Sequence, residues 1–174
     1  MNAKIIQTSP AHTGSTVLTN LIYGLLEPES AVKFRKGFTL NPANSIFMFL
    51  EKKLIIKSHD QNIDTIMQDL KQYDLYFVMS ERDDEKEQRL INQKFRKYEN
   101  VLIFDYTELL ETKDKSLQEI CENAERKLTS FLPQAIMQQA KGGLEQMYKR
   151  ISSMNERYQE IKNICWLMER MVKL

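Results

Sequence analysis

Cysteine is scarce: Cys121 and Cys165 are the two in 174 residues. Neither belongs to a CxxC pair and each falls in a helical pattern. The chain therefore lacks a disulfide framework and the paired thiolates of a zinc site, and a reduced, cytoplasmic setting is the expectation. Excess charge of one sign is missing too. Lys and Arg number 25 against 24 Asp and Glu, a formal net charge of +1. That balance gives no general pull toward nucleic acid or an anionic membrane, so neither is an expected partner and any anion site must be local. No apolar window approaches the roughly 18 residues of a membrane span. No charged leader with a long apolar stretch follows Met1, so no secretory signal is expected.

What is present suits one soluble α/β domain with an appendage. Hydrophobic residues make up 42% and charged residues 28%, enough to bury a core in a chain of this length. Short apolar runs at 4–8, 53–57, 74–80 and 101–105 alternate with helical patterns at 15–26, 44–52, 60–73, 83–98 and 115–131. This alternation is the signature of βαβ units around a parallel sheet. The expected fold is a three-layer α/β sandwich with a central parallel sheet of four to five strands, over 1–133. A helical extension follows over 134–174. There Met147, Ile151, Met154, Tyr158, Ile161, Cys165, Met168 and Val172 alternate spacings of four and three, a heptad seam. Such a helix either lies against its own domain or pairs with a second copy as a homodimer. Methionine, tyrosine and cysteine make a poor zipper core, and both arrangements stay open.

The most informative stretch is KIIQTSPAHTGSTVLTNLIYGLL, from Lys4 to Leu26. An apolar strand runs into a turn of small polar residues and then into an apolar helix, as in a phosphate-binding loop. The match to GxxxxGK[ST] fails at the first glycine and at the lysine. Gly14 would let backbone approach an anion closely. The N–H groups of the first helical turn, with the Ser15 and Thr16 hydroxyls, would hold it. The plainer alternative is that Ser15 only caps the helix.

In an open parallel sheet ligands bind at the carboxyl ends of the strands. Four polar segments fall there: 9–15, 58–60, 81–83 and Tyr106. The only two histidines, His12 and His59, stand in two of these segments. Side chains alternate along an extended segment, so Lys57 and His59 share a side. A cation beside a neutral base suits transfer of an anionic group onto a hydroxyl: the base takes the proton while the lysine offsets charge.

Taken in order, Thr8-Ser9-Pro10-Ala11-His12-Thr13-Gly14-Ser15-Thr16, Lys57-Ser58-His59 and Tyr76-Phe77-Val78-Met79-Ser80-Glu81-Arg82-Asp83 resemble the PAPS-dependent sulfotransferases. The likeness runs from about Lys4 to Pro133 and implies a P-loop-like sulfotransferase fold. It implies PAPS (3′-phosphoadenosine 5′-phosphosulfate) as cofactor, PAP as its product, and a small-molecule, glycan or peptide acceptor. By that resemblance His59 is the general base, Lys57 steadies the sulfuryl group, Thr13, Gly14, Ser15 and Thr16 hold the 5′-phosphosulfate, and Arg82 holds the 3′-phosphate. The loop is one residue longer than the family's form. Ala11 or His12 stands where the family has a basic residue, so His12 or Lys57 would take that part. The family's serine, eight residues past the arginine, falls at Leu90. Two further readings are a non-catalytic sulfotransferase-like protein that binds a nucleotide or a partner, and a P-loop kinase or NTPase.

Overall fold

A computed structural model describes residues 3–9, 14–27, 54–58, 63–82, 95–96, 98–110 and 112–171. The strands are β1 (Ala3–Thr8), β2 (Ile55–Ser58), β3 (Asp74–Glu81) and β4 (Val101–Asp105). The helices are α1 (Ser15–Leu26), α2 (Ile63–Asp69), α3 (Leu117–Phe131), α4 (Gln134–Met137) and α5 (Leu144–Met171), with a short 3-10 turn at Tyr106–Leu109. The helix expected at 44–52 and most of the helix expected at 83–98 lie outside the described residues.

The four strands form one sheet in the order β2-β1-β3-β4, and every pairing is parallel. All six residues of β1 are buried, as expected of a strand flanked on both sides and covered on both faces. Alternation along the strands divides the core. Ile5, Ile55, Val78 and Phe104 join a cluster with α1, α3 and α5. Ile6, Ile56, Phe77 and Met79 join a second cluster with Ile66, Leu70 and Phe95. The period-two side-chain pattern places these sets on opposite faces of the sheet, so helical segments cover both.

Local chemistry accounts for the element ends. β2 is held to β1 from Leu54 on: the Ile5 amide donates to the Leu54 carbonyl at 2.8 Å, and the paired register begins at Ile5↔Ile55. α2 gives way at Asp69, and the Tyr73 amide turns back onto the Leu70 carbonyl at 2.9 Å. α3 opens on a reciprocal cap: the Ser116 hydroxyl accepts from the Glu119 amide, and the Glu119 carboxylate accepts from the Ser116 amide. It ends at Phe131, two residues before Pro133.

Within α3, Cys121 is fully buried. Burial, helped by the negative charges of Glu122 and Glu125, pushes its thiol up to about 11. In a Cys165→Ser protein the native Cys121 should react with an alkylating agent near pH 8 about 100-fold more slowly than in denaturant, since the thiolate is the nucleophile. Equal rates would show the site to be open.

The approach of α5 to α1 is set by glycine. A Cβ on Gly24 would fall on the Met147 backbone, 2.6 Å from its nitrogen, and one on Gly142 would fall on the Gly24 carbonyl oxygen. The same segment closes the C-terminus of α1: the Lys141 amide donates to the Leu26 carbonyl at 3.2 Å and the Gly143 amide to that of Gly24 at 3.1 Å. Met147 and Ile151 are buried in the core and Met154 packs against it. The first three seam positions thus lie against their own chain; side chains beyond Arg157 are outside the described ones.

Candidate functional site

Parallel pairing brings the carboxyl ends of all four strands to one edge, as the sequence pattern implies. There the chain leaves β1 toward α1 on one face of the sheet. It leaves β3 toward Phe95 on the other. With β2 and β3 flanking β1, the edge between β1 and β3 is the point where a crevice opens in sheets of this kind.

Gly14 stands at that point as the N-cap of α1, at φ 80 and ψ 13, with no side-chain cap. Its left-handed backbone favours glycine. A Cβ there would also lie 3.1 Å from Leu109 Cδ1 and 3.2 Å from Tyr106 Cδ2. Ser15 is therefore not the cap; it is the first helical residue, largely buried, with Thr16 exposed beside it. The α1 carbonyl ladder starts with the Leu18 amide donating to Gly14 at 3.0 Å. The amides of 15–17 precede that ladder and form the positive end of the helix.

Arg82 follows β3, and its guanidinium lies 4.7 Å from the centre of the Tyr106 ring. Tyr106 thus stands between Gly14 and Arg82. Its own position comes from the turn that carries it. The Asp105 carboxylate accepts from the Thr107 amide at 2.7 Å, and Glu108 accepts from the Asp105 amide at 2.8 Å. Glu108 is in turn held by Lys127, at 2.7 and 2.8 Å, and by Asn123 at 3.3 Å. Burial alone would raise the Glu108 carboxyl, but hydrogen bonds from Lys127, the Asp105 amide and Asn123, with the lysine's charge, bring it below its ordinary value. One residue before Arg82, Glu81 pairs with Arg96.

Beneath the Gly14 turn lies a buried polar network. The Ser9 hydroxyl accepts from the Gln7 side-chain amide at 2.9 Å and from the Ser80 backbone amide at 2.9 Å. The Ser9 and Ser80 hydroxyl oxygens are 3.0 Å apart. The Thr19 hydroxyl sits 2.6 Å from the Ser15 carbonyl and 2.9 Å from the Gln7 side-chain oxygen, and donates to one or the other. Gln7, Ser9 and Ser80 are 0% exposed; buried polar groups stay in a core when they satisfy one another in this way.

No family model, curated protein or solved structure matches the chain. The assignment of residues therefore rests on the sequence and the geometry. Of the residues expected to form the site, Gly14 meets Arg82 through Tyr106, and Ser15 and Thr16 follow Gly14 as the first residues of α1. Lys57 is half-buried on β2, in register with Gln7. Parallel neighbours in register point to the same face, so Lys57 faces the α1 side. His12, Thr13 and His59 lie outside the described residues. The sequence reading passed over Gln7 and Thr19, although a glutamine within a buried apolar strand was a visible signal, and it named Ser9 and Ser80 only within the loop and strand motifs. Among the described residues no group of His, Cys, Asp and Glu could hold a metal ion. No helix among them is long and apolar enough to cross a membrane.

Proposed function

We propose that the protein is a small sulfotransferase that moves a sulfuryl group from PAPS to a hydroxyl or amine acceptor. One observation carries this reading: the Tyr106 ring joins the Gly14 turn to the Arg82 guanidinium. A helix start and an arginine at the ends of adjacent strands suit a nucleotide with two separate anionic groups. A guanidinium is also the side chain whose fork of N–H donors matches a phosphate. The residues present fit PAPS in that respect.

Bound there, PAPS supplies an activated sulfuryl group. In this reading the amides of 14–16 and the Ser15 and Thr16 hydroxyls hold its 5′-phosphosulfate, and Arg82 holds its 3′-phosphate. Lys57 offsets charge on the transferring group. His59 would take the proton of the acceptor hydroxyl, and His12 would do at the leaving phosphate what the family's basic residue does. The acceptor is a small molecule, a glycan or a peptide.

Ala11 and His12 in the position of that basic residue favour a second reading, a protein of the same fold that binds the nucleotide without turnover. Calorimetry separates these readings from an ATP-dependent one. PAP should bind without Mg²⁺, and Arg82→Ala should weaken it about 10- to 100-fold, the range of a lost charge-assisted hydrogen bond. Mg²⁺-dependent ATP binding with PAP ignored would overturn both.

A further inference from the structure

We infer that Ser9 and Ser80 are positioning residues that set the separation between the anion loop and Arg82. The inference rests on the nucleotide reading above and names what makes that site selective for a ligand with two anionic groups.

Paired residues along the β1–β3 ladder run up to Gln7↔Val78. Beyond it β1 ends at Thr8 while β3 runs on to Glu81, next to Arg82. Past that point a side chain joins the two. The Ser80 amide, which a strand neighbour would ordinarily engage through a backbone carbonyl, donates instead to the Ser9 hydroxyl at 2.9 Å. The second hydroxyl contact, at 3.0 Å, doubles the link. Gln7 braces Ser9 from below and reaches Thr19 on α1, so strand and helix are tied to the same point. Ser9 and Ser80 are themselves 0% exposed, so they act through what they hold. Ser9 ends the strand that leads into the loop, and Ser80 precedes Arg82 by two residues.

A ligand that spans both anion sites senses their separation, while one that uses the loop alone does not. The test compares PAP, with 5′- and 3′-phosphates, against AMP, which lacks the 3′-phosphate. Affinities are measured by calorimetry on the whole protein and its Ser9→Ala and Ser80→Ala variants. Displacement of a clamped group by about an ångström costs up to 100-fold; a loss of about tenfold or more in PAP affinity is expected, with AMP affinity little changed. In an Arg82→Ala background Ser9→Ala should then add little further loss for PAP. Ser80→Ala keeps the Ser80 amide on Ser9 and carries the test even if Ser9→Ala does not fold. Equal losses for PAP and AMP, or a lower melting temperature with the PAP:AMP ratio unchanged, would overturn the positioning role alone. A parent protein that binds no PAP would overturn the nucleotide reading together with it.

Discussion

Gly24→Val is expected to destabilise the protein by about 3 kcal/mol or more, at the upper end for overpacking a core. The expectation runs against intrinsic preference, since exchanging a glycine inside a helix for a residue with a side chain usually gains up to about 1 kcal/mol. Contact decides the sign. The added atoms would meet the backbone of Met147, 2.6 Å from its nitrogen, and backbone in a helix cannot rotate aside as a side-chain tip can. Relief requires α5 to move away from α1, which uncovers Met147 and Ile151 from the core they occupy. Gly143→Ala is the control: nothing lies within 4 Å of its Cβ position, and its effect should stay within about 0.5 kcal/mol. Denaturant unfolding followed by circular dichroism measures both. A Gly24→Val midpoint equal to the parent's would mean that α1 and α5 are not in close backbone contact.

The second large effect concerns turnover. His59→Ala should lower sulfuryl transfer by about 10²- to 10⁴-fold, the usual contribution of a positioned general base, and leave PAP affinity essentially as it was. The separation follows from the division of labour proposed for the site: the α1 start and Arg82 bind, and the residue one past β2 handles the acceptor's proton. Transfer is read with labelled PAPS and a panel of simple hydroxyl and amine acceptors, and binding by calorimetry on the same preparations. Undiminished transfer in the mutant would refute the assignment of the base. Absence of transfer in the parent with every acceptor, beside tight PAP binding, would favour the protein that binds without turnover.

The elements most legible in the sequence were those whose ends are marked by a capping residue. β4 and α1 have the bounds that their apolar runs suggest, 101–105 and 15–26: Asp105 ends β4 by capping the turn that follows, and Gly14 caps the start of α1. Strand order was not legible. Ile5 pairs with Ile55 on one side and Tyr76 on the other, and no local pattern records which distant run lies beside which. The site was half legible for the same reason. Gly14, Ser15 and Thr16 are recognisable as a helix start, and Arg82 as a cation at a strand end. That Gly14 rather than Ser15 takes the capping position depends on Tyr106 and Leu109 crowding it, and these residues arrive from the far end of the sheet. The Ser9–Ser80 link likewise joins positions 71 residues apart. The heptad seam announced a helix with an apolar stripe; only the glycines that meet it show what its first turns lie against.

That meeting has a consequence for how the protein is made. α1 leaves the ribosome well before α5, since the methionine that contacts its Asn20 is encoded 134 residues later. Translation adds about 5–20 residues each second, so the apolar flank of α1 must wait several seconds for its cover. A nascent chain stalled before Leu144 would carry that flank uncovered, an invitation to chaperones and to aggregation. Completion of the domain is thus tied to a helix synthesised long after the one it covers, and a protein lacking α5 would reach its native state slowly or not at all.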